Sequence, residues 1–162
     1  MAPLGPDAAS YSIAVTDTIA EINECRSLFL ADFQDLGRNG IRIVVAEGLP
    51  AGPPTSIEVG GTIIPDCTPI ETTDQSRIFE IVWRHCVGYS VLNESYAAVD
   101  DAEQYEGIRF RIYSKSHFID YMAVESFASD DYPGPTQHYC VVCEDHIVNV
   151  LSVEVPAVQR LR

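Results

Sequence analysis

Basic side chains are scarce in this chain. Lys115 is the only lysine among 162 residues, and ten lysines and arginines stand against 24 aspartates and glutamates, which gives a formal charge of −14. Proteins that bind nucleic acid or anionic membranes need many basic side chains to meet the phosphate groups. The composition therefore argues against both of those functions. It is more consistent with a basic protein partner, or with no macromolecular partner at all.

Long apolar runs and targeting signals are also missing. No apolar run approaches the roughly 20 residues of a transmembrane helix, and the first ten residues contain neither the basic nor the apolar region of a secretory signal. The five cysteines are an odd number and too few for a disulfide scaffold. We therefore expect reduced thiols in a cytoplasmic protein.

Motifs for nucleotide binding and nucleophilic catalysis are absent from the sequence. It contains no G-x-G-x-x-G, no P-loop and no G-x-S-x-G. We therefore expect no cofactor, and the sequence leans against an enzyme without excluding one.

The segment HYCVVCEDH at residues 138–146 is the strongest metal-like pattern, because Cys140 and Cys143 have the spacing of a zinc knuckle. The two valines between them favour a strand, in which the two thiols point to opposite faces. If Glu144 and Asp145 form a hairpin turn, Cys143 lies opposite His146 and His138 lies opposite Leu151. We therefore predict no metal site.

Residues 77–92 form the longest apolar, β-branched and aromatic run, and we predict one long central strand there. Alternation places Trp83 and Tyr89 on one apolar face, with His85 between them. A histidine in this position is more often a core residue than a base. If it is functional, His85, Tyr89 and Glu94 are the candidate catalytic or ligand-orienting residues.

The remaining elements are predicted from periodicity and turn residues. They are a flexible tail at 1–10, a helix at 17–36, a strand at 41–46, a hairpin around Gly60 and Gly61, a strand at 108–113 in which Arg109 and Arg111 alternate with apolar residues, a helix or strand at 114–122, and a hairpin at 137–155. With a single globular domain at 11–162, these elements predict a β-dominated α+β fold. An N-terminal helix would pack on a curved, mostly antiparallel sheet of five to seven strands.

Three functions are consistent with these features. The first is a non-catalytic protein-binding module, such as an immunity-like protein that neutralises a basic toxin. Its partner-binding residues would be six acidic ones: Asp100, Asp101, Glu103, Glu106, Asp130 and Asp131. The alternative is a small-molecule-binding or enzymatic β-fold with a pocket at the central strand, residues 78–92. The third is a homo-oligomer that hides a sheet face or edge.

Overall fold

The computed structural model describes residues 8–98 and 100–162. Helix α1 spans Ala8–Glu24, so residues 8–10 of the predicted tail belong to a helix, and residues 1–7 lie outside the described residues. Among the described residues, no helix is both long and apolar enough to cross a membrane.

Within the described residues, thirteen strands and a second α-helix follow α1. In order they are β1 (Leu28–Gly37), β2 (Gly40–Glu47), β3 (Leu49–Pro50), β4 (Thr55–Val59), β5 (Thr62–Cys67), β6 (Ile70–Glu71), β7 (Ile78–Trp83), β8 (Cys86–Asn93), a 3-10 helix (Glu94–Tyr96), β9 (Gln104–Glu106), β10 (Phe110–Lys115), α2 (His117–Glu125), β11 (Gln137–Val142), β12 (His146–Ser152) and β13 (Ala157–Arg160).

Two antiparallel sheets carry most of the strands. The first has the order β1-β2-β7-β13, and the second has the order β8-β12-β11-β10-β9. Two small pairs, β3 with β6 and β4 with β5, stand outside them. The predicted class, a β-dominated α+β fold with an N-terminal helix, is confirmed. The strands are divided between a four-stranded and a five-stranded sheet, whereas one sheet of five to seven strands was expected.

The two sheets share one apolar core. Trp83 from the four-stranded sheet is stacked 6.4 Å from the ring of Phe110 in the five-stranded sheet, and its ring lies 6.2 Å from that of Tyr139. Val15 and Ile22 of α1 are buried in the same cluster. Each sheet therefore has an inner face that contacts this core and an outer face that points away from it.

The predicted single strand at 77–92 is wrong, because a turn at Arg84 and His85 divides it into β7 and β8. β7 belongs to the four-stranded sheet and β8 to the five-stranded one. Trp83 and Cys86 are three residues apart, yet both are buried in the core. A continuous strand would point them to opposite faces, so the turn is what allows the chain to cross between sheets.

The predicted helix at 17–36 is wrong in its second half, where residues 28–37 form β1. The pairing of β1 with β2 has an irregularity between Leu30 and Asp32. A β-bulge of this kind shifts the alternation by one residue. Leu28, Leu30 and Phe33 therefore all pack against the core, although Leu30 and Phe33 are three residues apart.

Two local predictions are confirmed, and one open alternative is resolved. Gly60 and Gly61, at φ 57° and 81°, form the tight turn between β4 and β5. Residues 137–152 form a hairpin with the predicted register, in which His138 is paired with Leu151. Residues 117–125 form a helix that Ser116 caps, which settles the choice between helix and strand there. The last strand, β13, was not predicted.

Candidate ligand-binding cavity

A cavity of about 860 Å³ lies on the outer face of the five-stranded sheet. Its floor comes from β10, β11 and β12, and its walls come from Leu92, loop residues 97, 98, 100, 101 and 103, β9 and the first turn of α2. A second and smaller depression of about 330 Å³ lies beside β9 and β10. The larger cavity therefore sits on the face of the sheet that does not contact the apolar core.

The floor is built from rows of side chains that cross the sheet. Arg111 of β10 is paired with Cys140 of β11, Cys140 with Asn149 of β12, and Asn149 with Ser90 of β8. Directly opposite residues of neighbouring strands project from the same face. Four residues that are far apart in the sequence thus form one row.

A chain of hydrogen bonds runs beneath the cavity. His138 Nε2 donates to Asn149 Oδ1 over 3.1 Å, and Asn149 Nδ2 donates to Ser90 Oγ over 3.3 Å. Because Nε2 carries the proton, Nδ1 accepts the Ser116 hydroxyl proton over 2.8 Å. Ser116 Oγ in turn accepts the backbone N–H of Ile119 as the N-cap of α2. The polar groups of the floor therefore have fixed positions and a defined tautomer.

The imidazole of His138 is neutral near pH 7. Burial lowers its pKa to about 4, because a low-dielectric environment disfavours the charged form. The ring is stacked 4.5 Å from that of Tyr113 and lies 5.1 Å from that of Phe118. His138 is thus a neutral hydrogen-bonding group that contacts two aromatic rings.

Three carboxylates line the cavity from the loop: Asp100, Asp101 and Glu103. Asp100 accepts hydrogen bonds from the backbone N–H of Ala102 and from His117 Nε2, at 2.8 and 2.7 Å, and both bonds lower the pKa of its carboxyl. The same bond to Asp100 raises the pKa of His117. Glu103 accepts the backbone N–H of His117 over 2.9 Å. These contacts fasten the loop to the start of α2.

Arg111 supplies a cation to the cavity lining. Its guanidinium lies 4.4 Å from the centre of the Tyr105 ring, Nε donates to the carbonyl of Ile108 over 3.0 Å, and Nη1 lies 3.4 Å from Tyr113 Oη. The cavity therefore presents a fixed guanidinium on its floor and carboxylates on its loop wall.

This arrangement of side chains does not suit nucleophilic catalysis. A hydroxyl, an imidazole and an amide follow one another, as they do where a base activates a nucleophile. Ser116, however, is only 2% exposed, its Oγ is occupied by the helix cap, and it does not line the cavity. Burial raises the pKa of the Cys140 thiol to about 12, so this sulfur is not a thiolate. The groups that face the cavity can bind and orient a ligand.

Cys140 and Cys143 point to opposite faces, as the alternation predicts. Cys140 lines the cavity, whereas Cys143 is buried in the apolar core. Across the described part of the chain, no group of three or more histidine, cysteine or acidic residues is placed to hold a metal ion.

His85, Tyr89 and Glu94 are not brought together. His85 is exposed in the turn before β8, where its carbonyl accepts the Ser152 hydroxyl over 2.8 Å. Tyr89 is 44% exposed, and its ring lies 5.5 Å from that of Phe33. Glu94 follows the end of β8, so an eight-residue strand of roughly 25 Å separates it from His85. None of the three lines the cavity.

The six predicted partner-binding acids fall into three places. Asp100, Asp101 and Glu103 lie at the cavity, and Glu106 lines the smaller depression. The last two, Asp130 and Asp131, are exposed in the turn that follows α2. The structure therefore brings half of the set together.

The residues of the cavity floor were missed as a site, although a signal was present. Arg111 and Tyr113 are two positions apart on a predicted strand, and so are His138 and Cys140. Each pair therefore had to share a face. What the sequence could not supply was the order β12-β11-β10, which sets Arg111, Cys140 and Asn149 side by side.

Comparison with known proteins provides no further guide to this cavity. No protein-family model matches the chain, and neither curated proteins nor solved structures contain a significant match.

Proposed function

We propose that the protein is a non-catalytic binding domain and that a small molecule occupies the cavity on the outer face of the five-stranded sheet. The volume of about 860 Å³ lies within the range of ligand pockets, which is roughly 300–1,000 Å³. The lining combines aromatic rings with a few polar groups, as such pockets do.

The observation that carries this proposal is the chain of hydrogen bonds from Ser116 through His138 and Asn149 to Ser90. Buried polar groups cost free energy unless they are paired. A polar row is therefore hardly more stabilising than an apolar row would be. Such a row does fix the directions of donors and acceptors. Fixed polar groups beneath an open cavity are what recognition of a ligand requires.

Two tryptophan variants on one loop test the proposal. Ala98 and Ala102 are both exposed, but only Ala98 lines the cavity. Ala98→Trp should fill the cavity, whereas Ala102→Trp should leave it open. A panel of neutral, anionic, cationic and zwitterionic metabolites is screened by thermal unfolding. We expect the compounds that raise the unfolding temperature of the wild type to raise that of Ala102→Trp but not that of Ala98→Trp.

Two results would contradict the proposal. One is a panel in which no compound raises the unfolding temperature of the wild type. The other is equal stabilisation of the two tryptophan variants, which would place the bound compound elsewhere on the protein.

A second candidate is the neutralisation of a basic protein partner. Asp101, Asp130 and Asp131 are exposed, and the ion pairs among the described residues do not include them. Such charges raise association rates with a basic surface, and added salt reduces that effect. The tryptophan pair separates the two functions, since a partner that meets the acidic surface does not need the cavity interior to be open.

A further inference from the structure

Among the described residues, Arg111 alone contributes a guanidinium to the cavity lining, and the protein fixes it in place. Tyr105 supports its face, the carbonyl of Ile108 accepts from Nε, and Tyr113 Oη lies next to Nη1. Its remaining nitrogen, Nη2, makes no hydrogen bond with a described residue. The guanidinium is therefore oriented without using its full donor capacity.

Among the described residues no carboxylate forms an ion pair with Arg111, although acids outnumber basic residues in this chain. Four other arginines, Arg42, Arg77, Arg109 and Arg160, form ion pairs with carboxylates. The ion pairs of the described residues do not include Arg111. Its three fixed contacts are a ring, a carbonyl and a phenol, none of which carries a negative charge. An oxyanion in the cavity would be its natural partner, because a guanidinium matches a carboxylate with two parallel hydrogen bonds.

A simple anion would nevertheless fit this cavity badly. Asp100, Asp101 and Glu103 line its loop wall, and like charges repel. Asp100 already has a partner in His117, at 2.7 Å, but Asp101 forms no ion pair with a described residue. A ligand that brings an oxyanion to Arg111 should therefore carry a cation towards Asp101 and Glu103.

We infer that the ligand is a zwitterion of the amino-acid type, with its carboxylate on Arg111 and its ammonium group facing Asp101 and Glu103. This inference rests on the proposed function and specifies its ligand. The rings of Tyr105, Tyr113 and Phe118 line the same cavity and would contact the hydrocarbon part of the ligand. The volume of the cavity leaves room for a side chain or a second residue.

The test uses three probes with the same six-carbon chain: 6-aminohexanoate, hexanoate and hexylamine. The full chain is titrated with each probe, and binding is followed through the ring signals of Tyr105 and Tyr113 in NMR spectra. We expect 6-aminohexanoate to bind more tightly than either singly charged probe. Glycylglycine and 4-aminobutanoate differ from 6-aminohexanoate in the distance between their charges. Their affinities show which distance fits the cavity best.

Variants then assign each end of the probe. Arg111→Gln should weaken binding of the best zwitterion by about tenfold to a hundredfold, the value of a charge-assisted hydrogen bond. It should leave hexylamine binding unchanged or tighter. Asp101→Asn should weaken the zwitterion by no more than about fivefold, because that carboxylate is exposed. Asp131→Asn, in a different loop, is the matched control and should have no effect.

Failure of this inference can be told apart from failure of the proposed function. If neutral or singly charged compounds bind as well as zwitterions, or if Arg111→Gln has no effect, the zwitterion is excluded. If Ala98→Trp abolishes the thermal stabilisation by those compounds, the cavity is still a binding site. If no compound of any class binds, both proposals are overturned.

Discussion

The two faces of the five-stranded sheet are buried in different ways. On β11, Tyr139 and Val141 face the apolar core, while His138 and Cys140 face outward beneath α2 and loop residues 97, 98, 100, 101 and 103. All four are buried. One strand thus carries an apolar face and a polar face that are equally removed from water.

The difference shows how stability and recognition are divided within this sheet. Apolar side chains gain free energy from burial in proportion to the area that they remove from water. Buried polar side chains lose hydrogen bonds to water, and hydrogen bonds within the protein mostly compensate for that loss. The inner face should therefore set the stability of the fold, and the outer face should set the geometry of the cavity. Each of the following predictions tests one side of this division.

The largest effect is expected on the inner face. Phe110 is 1% exposed and packs against Trp83 and Tyr139. Phe110→Ala should lower the free energy of unfolding by about 3–5 kcal/mol, the usual range for a buried phenylalanine. Urea unfolding measures the loss. The matched control is Ile112→Ala, on the same face and strand but 36% exposed, which should cost clearly less. Similar losses for the two variants would contradict the position of the core.

The next effect concerns pH and the outer face. The pKa of His138 is about 4 in the folded protein and about 6.5 when unfolded. Between these values the unfolded chain binds more protons, so stability should fall as the pH is lowered. The contribution is fully present above pH 6.5 and lost progressively towards pH 4, by about 3 kcal/mol in total.

Two variants separate His138 from the other groups that titrate in this range. His138→Gln should lower stability at neutral pH and flatten its dependence between pH 6.5 and 4. Phe110→Ala should lower stability but keep the slope. If His138→Gln retains the full slope in urea unfolding across this range, the titrating group lies elsewhere.

Local patterns were sufficient to predict much of this fold. The alternation in residues 137–152 gives both the hairpin and the pairing of His138 with Leu151, because side chains in a strand repeat every two residues. Gly60 and Gly61 are found as a hairpin turn because glycine tolerates the positive φ that a tight turn needs. In each case the cause lies within a few residues of the effect.

The errors and omissions have non-local causes. The bulge in β1 and the turn at His85 each shift the alternation, and only the partner strands show where the shift falls. The cavity depends on strand order, which brings Arg111 beside Cys140 and Asn149. Asp100, Asp101 and Glu103 were predicted from their charge to bind a protein partner, which nothing in the fold tests. Their position beside the cavity follows from the contacts of their loop with His117.

The smallest effect tests how α2 is seated on the outer face. Gly88 lies opposite Leu151, and a Cβ at this position would approach Met122 Cε to 2.5 Å and Sδ to 2.9 Å. Methionine is flexible, so Gly88→Ala should displace its side chain at a cost of about 1 kcal/mol. In a Met122→Ala background the same substitution should be nearly neutral, and a double-mutant cycle of urea unfolding measures the coupling. Phe118 of α2 lines the cavity, so Gly88→Ala should also weaken ligand binding. In the Met122→Ala background the same substitution should affect binding less. An equal cost of Gly88→Ala in both backgrounds would mean that α2 is not held against β8 by this contact.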